Sequence, residues 1–169
     1  IDTFARYLGL GFPGGPKIQK LAEGGKYIEV PYTIKGMDVA FSGLLTKLQQ
    51  LHEGGADEKD LAFSLQESAF ATLVEAAERA LAHTGKKELL LGGGVGCNGR
   101  LQEMCRKMCE ERGAKFFVPD FSLLVDNGAM IAYLGEIMFK SGIKIEIRDL
   151  DTLDIDSRQR TDMVDVKWK

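Results

Sequence analysis

Three short stretches carry residue types whose spacing could do chemistry. The first is Leu91-Gly92-Gly93-Gly94-Val95-Gly96-Cys97-Asn98, which joins an apolar run to a helical pattern. Residues without side chains let the backbone approach an anionic or planar ligand, and a helix N-terminus beyond them offers amide donors and partial positive charge. Gly93 and Gly94 are therefore candidate contacts for a phosphate or nucleoside; a tight strand-to-helix turn is the plain alternative. No Gly-Lys-Ser/Thr follows, and the dinucleotide fingerprint is absent in its proper context. Asn98 either caps the next helix or hydrogen-bonds such a ligand. The second stretch, Pro13-Gly14-Gly15-Pro16, is poor in side chains and could lie against a ribose or base, or simply be a turn. In the third, Val125-Asp126-Asn127-Gly128-Ala129-Met130, Asp126 either caps a helix or ligates a metal at the carboxyl edge of a sheet.

Other chemistry finds less support. Cys97, Cys105 and Cys109 are spaced by eight and four, which makes no zinc knuckle and reads as buried thiols. His52 and His83 are too far apart for a local metal motif, and each falls near a predicted helix end. No Gly-x-Ser-x-Gly elbow supports serine hydrolysis.

The elements that must position these residues follow from periodicity. Phe4, Leu8 and Leu10 suggest the last turns of a helix stopped by Gly9 and Gly11, and a short helix runs from Lys17 to Ala22 after Pro16. Tyr27–Val30 and Met37–Phe41 read as short extended runs, and a helix spans Leu44 to His52. Asp57 and Asp60 have capping character before the longest periodic segment, whose apolar residues recur from Leu61 to Ala80 and which ends at Gly85. Strand Glu88–Leu91, a helix from Asn98 to Glu111 and strand Phe116–Val118 make an α/β unit with parallel pairing. A helix from Asp126 to Phe139 and an alternating run Ile143, Ile145, Ile147 follow.

The chain has 169 residues, of which 44% are apolar. That is enough for a core without disulfide staples, and three cysteines suit a reducing, cytoplasmic setting. Lys+Arg of 22 against Asp+Glu of 25 gives net charge −3, so any nucleic-acid contact must come from a local patch or from partners. No apolar run reaches a membrane span. The chain opens without methionine inside an apparent helix, which reads as the C-terminal piece of something longer.

Taken in order, these motifs resemble the universal tRNA threonylcarbamoyltransferase family, the catalytic subunit of the archaeal and eukaryotic KEOPS complex and its bacterial counterpart. The likeness runs through Ile1-Asp2-Thr3-Phe4-Ala5-Arg6, Pro13-Gly14-Gly15-Pro16, Phe41-Ser42-Gly43-Leu44, Gly93-Gly94-Val95-Gly96-Cys97-Asn98 with Arg100-Leu101, and Asp126-Asn127-Gly128-Ala129-Met130-Ile131-Ala132. The tail Arg158-Gln159-Arg160-Thr161-Asp162, running on to Trp168, looks like archaeal members.

The resemblance implies an actin/hexokinase-like α/β fold of two RNase H-like lobes. Residues 1–143 would be the C-terminal lobe with part of the interlobe helical region, and 144–169 the C-terminal strand and tail. It implies transfer of threonylcarbamoyl from its adenylate to the adenosine beside the anticodon of tRNAs reading ANN codons. Asp2, Gly15 and Asn98 match the family's nucleotide-binding positions, with Gly93 and Gly94 in the glycine turn. Gln19 stands where many archaeal members have glutamate, so that contact would be neutral or rearranged. Asp126 matches a ligand of one iron or zinc ion per subunit, whose other ligands form a His-x-x-x-His motif in the first lobe that neither His52 nor His83 supplies. No side chain is implied as catalytic acid or base. Implied partners are tRNA and KEOPS subunits, including a small kinase, fused after residue 169 in some archaea, and a small dimerising subunit. A lobe that binds nucleotide or partner without turnover is the non-catalytic alternative. A metallopeptidase lacks support, since no His-Glu-x-x-His helix is present.

Overall fold

The computed structural model describes residues 1–160 and 163–168, so Thr161 and Asp162 of the archaeal-type tail lie outside the described residues. It divides into two compact units, residues 1–124 and 125–169.

The spine of the first unit is the long helix predicted from the Leu61-to-Ala80 periodicity. It spans Glu58–Thr84, here α4; α1, α2 and α3 are the preceding helices Asp2–Tyr7, Gly15–Leu21 and Ser42–Glu53. The Asp57 side chain accepts the Lys59 amide at the start of α4, and Gly85, with φ +67°, ends it as only a glycine does cheaply. The first half of α4 buries Leu61, Ala62, Leu65 and Ala69 with Phe4, Ile18, Leu44 and Leu48 from the three earlier helices. Further along, Phe70 meets Leu101 and Cys105, and Leu81 meets Met108 and Cys109.

Those later partners belong to α5, Gly99–Glu111, which links two parallel strands as the sequence pattern requires. They are Glu88–Leu90 and Lys115–Phe117, paired Glu88 to Lys115, Leu89 to Phe116 and Leu90 to Phe117. A hairpin of Ile34–Lys35 and Asp38–Val39 turns at Gly36 and contains part of the predicted Met37–Phe41 run. Numbered in chain order, the hairpin strands are β1 and β2 and the parallel pair β3 and β4. A short helix, α6, covers Phe121–Leu124.

Two expected strands do not form. Tyr27–Val30 lies extended along α4 without a ladder partner, because α4 side chains take its polar groups instead. The Lys26 amide donates to Asp60 Oδ1 at 2.7 Å and the Ile28 amide to Ser64 Oγ at 2.7 Å. The Tyr27 hydroxyl lies 3.3 Å from Ser68 Oγ, the Tyr32 hydroxyl donates to Glu75, and Arg79 donates to the Gly36 carbonyl at 2.6 Å. Asp60 is thus a strap anchor rather than a second cap.

The other absent strand is in the second unit. There α7, Gly128–Lys140, precedes residues 143–146 in irregular backbone and a 3-10 turn over Ile147–Thr152. The Ile143 amide closes the end of α7 on the Met138 carbonyl, and Ile145 and Ile147 are exposed. The alternation finds no neighbouring strand among the described residues, and a strand needs a paired edge. No described helix is long and apolar enough to cross a membrane.

Candidate functional site

Asp2 stands in the first turn of α1, and its Oδ1 accepts the amides of Gly14 at 2.8 Å and Gly15 at 3.1 Å. The carboxylate therefore clamps the Pro-Gly-Gly-Pro loop at the start of α2, and Oδ2 has no hydrogen bond among the described residues. The two glycines have different duties. A Cβ on Gly14 would sit 2.6 Å from both Ala5 Cβ and Asp2 Oδ1, so Gly14 is required by packing; above Gly15 the space is open. Gln19, one turn along α2 from Gly15, is exposed. Sequence reasoning chose Gly15 and passed over Gly14; nothing in the motif separates the two, since only the return of the loop onto α1 does.

The glycine turn lies at the carboxyl end of β3. Gly93 has φ +85° and needs to be glycine for its backbone alone; Gly96 is buried against Leu91 and Leu124. Gly92 and Gly94 have neither reason, and a Cβ on either would meet nothing within 4 Å. A tight turn accounts for half of the glycines, and open space lies over the rest. The helix follows the glycines as expected, with Asn98 at its cap position. Gly94–Cys97 form a 3-10 turn before α5, and the amides of Gly94 and Val95 at its start make no hydrogen bond among the described residues.

Asn98 caps α5: its Oδ1 accepts from the amides of Arg100 at 2.9 Å and Leu101 at 3.3 Å. Its Nδ2 donates to Oε1 of Gln66 on α4 at 3.0 Å. The next α4 residue, Glu67, takes Arg100 in a two-point ion pair, 2.8 Å from Nε and 2.8 Å from Nη2. With Glu103 also 2.8 Å from Nη1, these hydrogen bonds hold the guanidinium even further above its usual pKa, Glu67 contributing most. Gln66 and Glu67 were not singled out from the sequence, although a polar pair inside the buried stripe of a long helix was the available signal.

A cleft of about 520 Å³ is lined by Asp2 and Thr3 of α1, Phe41 before α3 and Ser42 at its start, Phe70 of α4, and Val95 of the glycine turn, whereas Gly15, Gln19, Gly93, Gly94 and Asn98 do not line it. Three of the motifs thus face one space. The Tyr7 hydroxyl and His52 lie 3.3 Å apart, and His52 pairs with Glu58 at 3.2 Å, which accounts for that histidine structurally.

In the second unit Asp126 is exposed, and Asn127, not Asp126, caps α7 by accepting the Met130 amide at 3.0 Å. The Asp126 carboxylate has no partner among the described residues. No three histidine, cysteine or acidic side chains converge among them either. One hard oxygen ligand suits iron or zinc but falls short of the three or more protein ligands that retain such an ion, so the described residues do not by themselves make the metal site.

A parallel β-α-β unit with an open glycine turn at a strand's carboxyl end defines an α/β protein of the kind that presents strand ends to a ligand. The comparisons narrow that class. The family model for tRNA N6-adenosine threonylcarbamoyltransferase matches residues 1–133, and the chain belongs to this family. The tRNA N6-adenosine threonylcarbamoyltransferase of Thermococcus sibiricus is 56% identical over 99% of this chain and 52% of that protein. A protein of Methanoculleus marisnigri described as "Probable bifunctional tRNA threonylcarbamoyladenosine biosynthesis protein" is 56% identical over the whole chain and 31% of its own length. The chain spans about half the length, or less, of these curated relatives. The crystal structure of T. kodakarensis HypF superposes with a TM-score of 0.60 at 25% identity, over 79% of this chain and 18% of that one.

Proposed function

We propose that this chain supplies the nucleotide-facing part of a tRNA N6-threonylcarbamoyladenosine synthase, within an actin/hexokinase-like enzyme of two RNase H-like lobes. The observation that carries the reading is the convergence of Asp2, Val95 of the glycine turn and the Phe41-Ser42 segment on one cleft, in a chain of this family. In the reaction, the exocyclic amine of the tRNA adenosine attacks the carbamoyl carbon of threonylcarbamoyl-AMP. The new C–N bond forms, the C–O bond to AMP breaks, and the amine proton leaves to solvent.

The chain's own groups have matching roles. Asp2 Oδ2 accepts from a nucleoside hydroxyl, Gly15 leaves room for the ligand, and Gln19 lies one turn further as a neutral contact. The Gly94 and Val95 amides, beside Gly93, donate to the phosphate oxygens of departing AMP, where negative charge grows. Asn98 contacts the nucleoside. Asp126 would contribute one carboxylate to an iron or zinc ion, with the remaining ligands in the half of the relatives that this chain does not span; no step is drawn through that ion. Partners would be tRNA, KEOPS subunits including a small dimerising subunit, and a small kinase; the bifunctional names of relatives favour the last. The setting would be cytoplasmic.

The test uses a full-length protein carrying this sequence, with threonylcarbamoyl-AMP and tRNA. Asp2→Ala and Asp126→Ala should each abolish transfer while leaving melting within a few degrees. Retained transfer in Asp2→Ala sinks the site, and retained transfer in Asp126→Ala sinks the metal role. The lone carboxylate at 126 favours a second reading for the 169-residue chain by itself, namely a lobe that binds AMP without turnover. Titration with AMP decides it: no binding at millimolar ligand means that this chain alone does not build the site.

A further inference from the structure

Asn98 is held at three points, and the arrangement dictates what it can offer a ligand. Its Oδ1 faces two backbone N–H groups, those of Arg100 and Leu101. Turning the carboxamide over would set its NH2 against those donors, so the cap itself fixes which end is oxygen. The Nδ2 end must then find an acceptor, and it meets Gln66 Oε1 at 3.0 Å. Both Oδ1 lone pairs and one Nδ2 hydrogen are used. One N–H remains.

The geometry points to Gln66 as a positioning residue that holds the Asn98 carboxamide so that it presents the ligand with one donor and no acceptor. Gln66 is only 7% exposed, sits between the buried Leu65 and Ala69 on α4, and precedes Glu67, whose grip on Arg100 fixes the start of α5 against the same helix. The ligand atom opposite Asn98 must therefore carry a lone pair, as a ribose hydroxyl oxygen, a purine ring nitrogen or a phosphate oxygen does. A group that can only donate, such as an exocyclic amine, meets an unmatched N–H there. The proposal rests on Asn98 belonging to the nucleotide site.

The experiment is AMP binding by calorimetry, with KM and kcat for threonylcarbamoyl-AMP, on full-length protein. Gln66→Met keeps the length and apolar stem but removes the acceptor. It should weaken AMP binding and raise KM about fivefold, the value of one neutral hydrogen bond, with kcat nearly unchanged. Gln66→Glu, which restores an acceptor at the same reach, should recover most of the loss. Unchanged affinity in Gln66→Met overturns the proposal, and so does a loss that Gln66→Glu leaves unrepaired.

Asn98→Asp reads the donor requirement even if Gln66→Met does not fold. Aspartate caps α5 as well as asparagine does but has no N–H, so AMP binding should fall at least as far as in Asn98→Ala. If Asn98→Ala weakens binding and Asn98→Asp does not, the donor inference fails while the site stands. If neither weakens it, Asn98 is not in the site and the broader reading fails with it.

Discussion

Arg100 meets two carboxylates at the same distance, one shielded and held at two points, the other exposed and held at one, so their contributions to stability should differ. Glu67 reaches it across helices with both oxygens at 2.8 Å, and its side chain is 17% exposed. Glu103 reaches it along α5 at 2.8 Å, and its side chain is 65% exposed. A hydrogen bond to a charged group contributes about 1.5–3 kcal/mol when shielded, and an exposed pair one helical turn apart about 0.2–0.5 kcal/mol. Arg100 itself is 37% exposed, so the lower end of the first range applies. Glu67→Ala should then cost about 1.5 kcal/mol and Glu103→Ala about 0.3 kcal/mol. For a protein of this size that corresponds to melting shifts of about 3–6 °C and about 1 °C. Scanning calorimetry of the two variants, of Arg100→Ala and of both doubles supplies the coupling energies, at low salt and again in molar salt. The Glu67 coupling should largely survive salt and the Glu103 coupling should vanish. Equal shifts for the two glutamates, or a Glu67 coupling erased by salt, would refute the assignment of the α4–α5 junction to a shielded pair.

Three further outcomes follow from local features. Gly14→Ala forces a methyl to within 2.6 Å of Ala5 Cβ and Asp2 Oδ1, so it should destabilise the protein by about 1–3 kcal/mol in urea unfolding, whereas Gly15→Ala should fold as wild type. Burial pushes the Cys105 and Cys109 thiols up, with the neighbouring Cys109 adding to the effect at Cys105. A thiol reagent near neutral pH should therefore label the less buried Cys97 first and reach the other two only on unfolding, as read by mass spectrometry. Tyr32 is pushed up from the ordinary 10.0 to about 12, first by burial and then by its hydrogen bond to Glu75. Between about pH 10 and 12 the unfolded chain has lost this proton while the folded chain retains it. The stabilisation is thus complete below pH 10 and disappears as pH rises through 12, and Tyr32→Phe should remove one late-titrating tyrosine from the tyrosinate absorbance curve.

Local patterns were legible where one element decides the matter. Asp57 and Gly85 bracket α4, and the β3-α5-β4 crossover follows from two apolar runs flanking an amphipathic stretch. The parts that escaped depend on distant partners. Tyr27–Val30 has the composition of a strand, but the Ile28 amide, like that of Lys26 just before the run, is met by a side chain from over thirty residues away, which no local window contains. The alternating isoleucines after α7 carry a strand's period without a described edge to pair with. At the site, residue types singled out Gly93, Gly94 and Asn98, and the family resemblance added Asp2. They did not disclose that Gly14 bears the packing, that Gln66 bonds Asn98, or that Asn127 takes over the cap and leaves Asp126 unengaged.

The lacing of residues 26–36 onto α4 has a consequence for how that segment finds its place. Asp60, Ser64, Ser68, Glu75 and Arg79 recur at roughly helical intervals; Asp60, Ser64 and Ser68 hold residues 26–28, Glu75 holds Tyr32 and Arg79 holds Gly36. In a sheet, alignment is specified by a neighbouring strand that must itself be aligned. Here the template is a helix whose spacing is set by its own backbone hydrogen bonds. A slip of one residue would leave the Ser64 hydroxyl facing no amide and the Asp60 carboxylate facing no donor, so the polar seam works as a ruler that rejects misalignment without any β-pairing.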